Sequence, residues 1–250
     1  MLSTTSWTYT LKITISISIL GLAIVALLAA NPPSVQPVPW RMQMVSFIFG
    51  SLCILGVIAV FFPSMCSGMI SPGREPENNE RDISTRRYAS IFGVKVVHGH
   101  HTLSKEFIDH EFQIGSKTFC AGCSGLLIGA LVSVTGLFAY STLNVEMRIV
   151  APFLVGIGIV VIATVLLFPL LHKSSSIHRL LINATFVPAM LSILIGIDTI
   201  IESLEIDLYM ISLSIFWMLN RIIISRFNHE RIYSNREIKD EIKGKNLTLQ

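Results

Sequence analysis

The chain has 250 residues, 52% of them hydrophobic and only 14% charged, with a formal net charge of +3 and a mean hydropathy of +0.65. So few charged residues cannot solvate the surface of a water-soluble domain of this length, which excludes soluble globular and disordered classes and leaves a membrane protein. The small net charge gives no reason to expect a nucleic-acid partner.

Apolar runs long enough to cross about 30 Å of hydrocarbon as a helix recur about six times. They fall at 11–30, 42–62, 123–140, 149–171, 180–201 and 208–225. The expected fold is therefore all-α, a polytopic transmembrane helical bundle of about six spans with one long cytoplasmic loop. Its parts are the first two spans in 1–64, a His-rich loop in 65–119, a four-span bundle in 120–225 and a basic tail in 226–250.

Of the 19 Lys and Arg, all but Arg41 and Arg148 fall on one side of these spans. Basic residues near span ends stay cytoplasmic, so both termini are expected in the cytoplasm of a multi-pass cell-membrane protein. Residues 1–30 also carry features of a secretory signal, with Ala26-Leu27-Leu28-Ala29-Ala30 resembling a cleavage site. The length of the apolar run, and Trp7 and Tyr9 before it, favour a span. Cleavage would leave the other five oriented as before.

The link at 31–40 holds Pro32, Pro33, Pro37 and Pro39 and ends in an interfacial Trp40. Cys53 falls mid-span and reads as a packing residue. Residues 71–87 are polar and read as a linker, and 91–97 turn apolar again. Ser104 is placed to cap a short amphipathic helix carrying Phe107, Ile108, His110 and Phe112. Gly125, Gly129 and Ser133, four apart, allow a neighbouring helix close to the third span, although membrane helices are glycine-rich in general. The tail mixes Arg and Lys with Glu and Asp and reads as a solvated helix able to meet anionic lipid headgroups.

All seven histidines lie on the expected cytoplasmic side: His98, His100, His101, His110, His172, His178 and His229. So do Cys66, Cys120 and Cys123. In a reducing compartment thiols this close to imidazoles point to metal binding ahead of a disulfide. Cys120 and Cys123, with His100 or His101, then His110 and His98, make an N/S donor set of the kind zinc takes. A redox dithiol and the absence of any site, with cysteines packing a helix cap, are the competing readings. Arg179, with His178 beside it at the start of the fifth span, is the candidate for holding an anionic group. An arginine there also serves as a headgroup anchor.

Sharper motifs fail. His110-Glu111 lacks a second histidine four residues on, where Ile114 stands, and Ser124 rather than histidine follows Cys123. Phosphate-binding and dinucleotide fingerprints are missing. Apart from Lys12 at the very start of the first, the spans hold only Asp198 and Arg221 as charged residues, which disfavours a transporter. Asn183 and Asn220 are expected to make interhelical hydrogen bonds.

The stretch from His100 through Phe112, Gly115 and Phe119-Cys120-Ala121-Gly122-Cys123-Ser124-Gly125 into the third span resembles the small membrane proteins classed as domain of unknown function 2085. Their signature is a Cys-His pair, an aromatic and glycine segment, and Cys-Ala-Arg-Cys-Thr-Gly entering a span. Pro169 and the Ser176-Ile177-His178-Arg179-Leu180-Leu181 restart resemble a second patch of that family, so the likeness covers about 98–200. Histidines stand here in place of the family's first cysteine, and Gly122 in place of its arginine. His172 and Lys173 stand near its aspartate and glutamine. The resemblance implies where a site lies and implies no substrate. It leaves two function classes: a zinc that pins the long loop to the bundle in an interaction protein, or a membrane enzyme acting on a lipid headgroup or other anionic substrate at that metal.

Overall fold

The structure is a computed structural model, and it describes residues 4–36, 38–61, 90–91, 94–95, 111–114, 117–142, 147–172 and 175–247. The expected class is observed. Among the described residues six helices run in chain order: α1 (Thr4–Ala30), α2 (Arg41–Phe61), α3 (Ala121–Thr142), α4 (Ala151–Leu171), α5 (Ser176–Ile201) and α6 (Leu204–Leu247). Each contains a stretch long and apolar enough to cross a membrane. Large apolar side chains such as Phe47, Phe138, Ile149 and Phe153 stand on the outside, where a lipid bilayer solvates them.

Span ends differ from the expected ones by a few residues, and two of the differences matter. The fifth and sixth helices start earlier, at Ser176 and Leu204, because Ser175 and Ser203 cap them. Asp207 thereby falls inside the sixth membrane helix. That helix continues past Ser225 to Leu247, so the basic tail is largely its extension.

Helix α5 is the central element. Within its span 56% of the residues are buried, against 22–39% in the other five. It packs against both α3 and α4, while α1 lies against α4 and α6, and α2 lies against α3. Small residues make both α5 seams. A Cβ added at Gly125 would strike the Leu180 carbonyl, and one at Gly129 would lie 2.7 Å from the Ala184 carbonyl oxygen. Ser133, the next step of four, is fully buried. The close-packing reading of this stripe is what the structure shows. On the other side, Cβ atoms at Gly158 and Gly196 would meet the carbonyls of Ala189 and Ala151 at 2.9 and 2.8 Å.

The prolines fit the same scheme. Pro188 inside α5 has no N–H to offer the Ala184 carbonyl, and that carbonyl is the one facing Gly129. Pro169, near the end of α4, has a carbonyl beyond reach of its own helix, and Asn228 of α6 donates to it at 3.3 Å.

Polar side chains tie α6 to α1. Asn220 donates to Ser18 Oγ at 2.8 Å and to the Thr14 carbonyl at 3.2 Å, with Asn220 and Ser18 both buried. Asn220→Ala is expected to cost about 0.6 kcal/mol, and no more than about 1.7, read from detergent unfolding beside the wild type. Asn183 behaves differently from expectation. It turns back on its own helix and donates to the Arg179 carbonyl at 2.7 Å, because the α3 backbone opposite leaves no room for a long reach.

The segment before α3 is a β-hairpin, not a helix. Strands β3 (Glu111–Ile114) and β4 (Lys117–Cys120) pair antiparallel, and Phe112 stacks on Phe119 with ring centroids 5.6 Å apart. Phe112 therefore lies on a strand, and the rest of the helix expected after Ser104 lies outside the described residues. The chain signal was available: Gly115-Ser116 between two alternating segments suits a two-residue hairpin loop. A shorter pair, β1 (Ser90–Ile91) and β2 (Val94–Lys95), precedes it.

Candidate functional site

Cys120 is the last residue of β4, and Ala121 begins α3. The cysteine pair thus bridges a strand end and the first turn of a helix. Cys120 is buried and Cys123 half-buried. β3 touches α5 and β4 touches α3, so the hairpin sits on the two most tightly joined helices. A Cβ on Gly122 would lie 3.7 Å from Asn183 Nδ2 and 4.0 Å from Cys120 Sγ, which brings the thiol and the amide to one spot. Hairpin register sets Glu111 directly opposite Cys120.

Arg179 and His178 lie at the same end of the bundle. Ser175 caps α5, its Oγ accepting the His178 N–H at 3.5 Å and lying 2.8 Å from His178 Nδ1. The cap engages one nitrogen of the exposed His178 ring, and Phe168 lies beside that ring at a centroid distance of 6.0 Å. Phe168 also stacks on His172, at 4.9 Å, just past the end of α4. Arg179 is half-buried and lies within electrostatic range of Arg221 on α6. Arg221 Nε is buried with no hydrogen-bond partner.

Of the expected metal donors, Cys120 and Cys123 are brought to this end together. His98, His100, His101, His110 and Cys66 lie outside the described residues. Among the described residues no group of three or more His, Cys, Asp or Glu is placed to hold a metal ion.

A second cluster, at the opposite end of the bundle, escaped the sequence reading. Arg41, the first residue of α2, points inward between Asp198 near the end of α5 and Asp207 in the first turn of α6. Its Nη2 lies 3.1 Å from Asp198 Oδ1 and its Nη1 3.6 Å from Asp207 Oδ2. Nη1 also donates to the Asp198 carbonyl at 3.4 Å, an oxygen that accepts the Glu202 N–H as well. Tyr140 of α3 donates its hydroxyl proton to Asp198 Oδ2, with Thr199 Oγ1 3.2 Å away. Asp198 and Asp207 are only 3% and 0% exposed, so this is an interior site.

The local chain explains the convergence. Glu202 adopts a left-handed backbone with φ 57°, which turns α5 into α6 within two residues and puts Asp198 beside Asp207. Ser203 caps α6 and also donates to Glu205 Oε2 at 2.7 Å, and acidic residues in that first turn suit the helix N-terminus. A cleft of about 10 Å³, room for about one water, opens beside Asp198 and Tyr140 among Met42, Ser46 and Leu137. One signal existed in the sequence: an ionisable residue inside a span demands a partner, and Asp198 had been assigned none.

Fold and composition together define a multi-pass helical membrane protein with polar chemistry at both ends of the bundle. In comparisons with known proteins, no family model, curated protein or solved structure matches the chain.

Proposed function

We propose that the Cys120–Cys123 end holds a metal ion, zinc by donor chemistry, that pins the 65–119 loop onto the bundle of a membrane-embedded interaction protein. The observation that carries this reading is the hairpin register. Glu111, which faces Cys120, directly follows His110 in the chain, so the covalent chain ties the last histidine of the loop to the cysteine end. A thiolate pair with imidazole nitrogens suits zinc, and His98, His100 and His101 are the further donors of the same loop. The stretch that resembles domain of unknown function 2085 centres on these same residues.

A second reading rests on Arg179 and Arg221. Two guanidinium groups within electrostatic range, one with a buried and unpartnered Nε, suit an anionic ligand such as a lipid headgroup phosphate. With three protein donors and an open position, the same metal would make the chain an enzyme at headgroup level. With four it is structural, and the larger number of available histidines favours that form.

The deciding measurement is elemental analysis of the detergent-purified protein beside Cys120→Ser/Cys123→Ser. The expected result is about one zinc per chain in the wild type and none in the variant, with chelation exposing the 65–119 loop to protease. No metal in the wild type overturns the proposal. X-ray absorption on the loaded protein then counts sulfur and nitrogen donors and separates the two readings.

A further inference from the structure

The ionic cluster at the far end of the bundle has a charge that does not close. Two buried aspartates contribute −2 and Arg41 contributes +1, in surroundings where an excess charge is costly. The hydrogen bonding does not close either. Asp207 Oδ1 and Oδ2 and Asp198 Oδ1 are buried and accept no hydrogen bond, Asp198 Oδ1 and Asp207 Oδ2 having only their Arg41 ion pairs, although the two carboxyl groups lie within hydrogen-bonding reach of each other. Two ionised carboxyl groups in contact offer each other only acceptors.

One proton resolves both problems. We propose that Asp198 and Asp207 form a proton-binding dyad, which shares a single exchangeable proton at neutral pH. The cluster is then neutral: −2 from the carboxylates, +1 from Arg41 and +1 from the proton. An O–H···O bond between the two carboxyl groups supplies the missing donor.

The neighbours determine where the proton goes. Asp198 receives the closer Arg41 contact on one oxygen and the Tyr140 hydroxyl on the other, so both of its oxygens already face donors. Asp207 accepts no hydrogen bond and has only the 3.6 Å Arg41 contact, so the proton belongs mainly to Asp207. Among the described residues, Glu205 in the first turn of α6 is the further charged group acting on Asp207, and its negative charge adds to the excess. Exchange with water runs through the cleft beside Tyr140 and Asp198. On uptake a proton from water adds to a carboxylate oxygen, and on release the cluster returns to −1.

The test is infrared spectroscopy of the full-length protein in lipid at neutral pH. Solvated carboxyls are ionised there, so the C=O stretch of a protonated carboxylic acid reports a buried one. The wild type is expected to show this band, shifted by exchange into D2O, and Asp207→Asn to lose it. Glu205→Gln keeps it. An asparagine also imitates the protonated aspartate in shape and charge, so Asp207→Asn is expected to fold with an unchanged melting temperature. A wild type without the band, or an Asp207→Asn variant that retains it, overturns the proposal. A large fall in melting temperature in Asp207→Asn does so as well, because it would identify Asp207 as a plain ionised partner of Arg41.

Discussion

Replacing Arg41 with methionine is expected to cost about 3–5 kcal/mol of bundle stability, the penalty for leaving a buried charge without its partner. Arg41 carries the only positive charge in contact with Asp198 and Asp207 among the described residues, and it links the start of α2 to the α5–α6 turn. Its loss strands negative charge and also removes a donor from the Asp198 carbonyl. Methionine keeps much of the apolar stem, so the measured loss reports charge and hydrogen bonding more than volume. The exposed Arg148, the other basic residue expected on that side, serves as control: Arg148→Ala is expected to stay within about 0.5 kcal/mol. Adding Asp198→Asn to Arg41→Met is expected to recover much of the loss. Equilibrium unfolding in detergent micelles checks all three, and an Arg41→Met loss below about 1 kcal/mol would mean that the cluster does not hold the helices together.

The second large effect is steric. Gly129→Leu is expected to destabilise the bundle by about 3 kcal/mol or more, at the upper end of what overpacking usually costs. The first added atom already meets the Ala184 carbonyl at 2.7 Å and the Asn183 carbonyl at 3.3 Å, and both are backbone. A side chain in the way can rotate, but a helix backbone must move as a unit, so α3 and α5 have to part along their whole seam. Gly56→Leu on α2 has nothing within 4 Å and is expected to change stability by less than about 0.5 kcal/mol. Thermal unfolding of the two variants side by side gives the comparison. Gly129→Leu would also shift Cys120 and Gly122 against Asn183, so its zinc content falls with its stability if the proposed metal is there.

The two ends of the bundle were not equally readable. The cysteine end announced itself because its residues are chemically distinctive and adjacent in the chain. Register could not be read the same way: the Ser104 helix was inferred from the spacing of Phe107, Ile108 and Phe112, while Phe112 in fact pairs across a hairpin with Phe119. A few aromatic residues in a short segment fit both a helical and an alternating period, and the pairing partner decides between them. Arg41 and Asp198 were both noticed, one as an outside charge and one as an isolated acid, but not as a pair. They are 157 residues apart, and nothing local links them. Asp207 was missed because an apolar-run boundary at 208 put it just outside the sixth span, whereas the Ser203 cap begins that helix at Leu204.

What the sequence by itself determined is the membrane class, the six spans and the small-residue face of α3. Each depends on local properties, apolar length and residue size at helical spacing, that survive whatever the helices pack against. Only the tertiary structure decided that α5 is the central helix and that Asn183 bonds within its own helix. It alone also brought Arg41, Tyr140, Asp198 and Asp207 together into one buried cluster. Those outcomes depend on how each helix is rotated and which neighbour it meets, and in lipid every helix is apolar enough that hydropathy alone cannot choose among the arrangements.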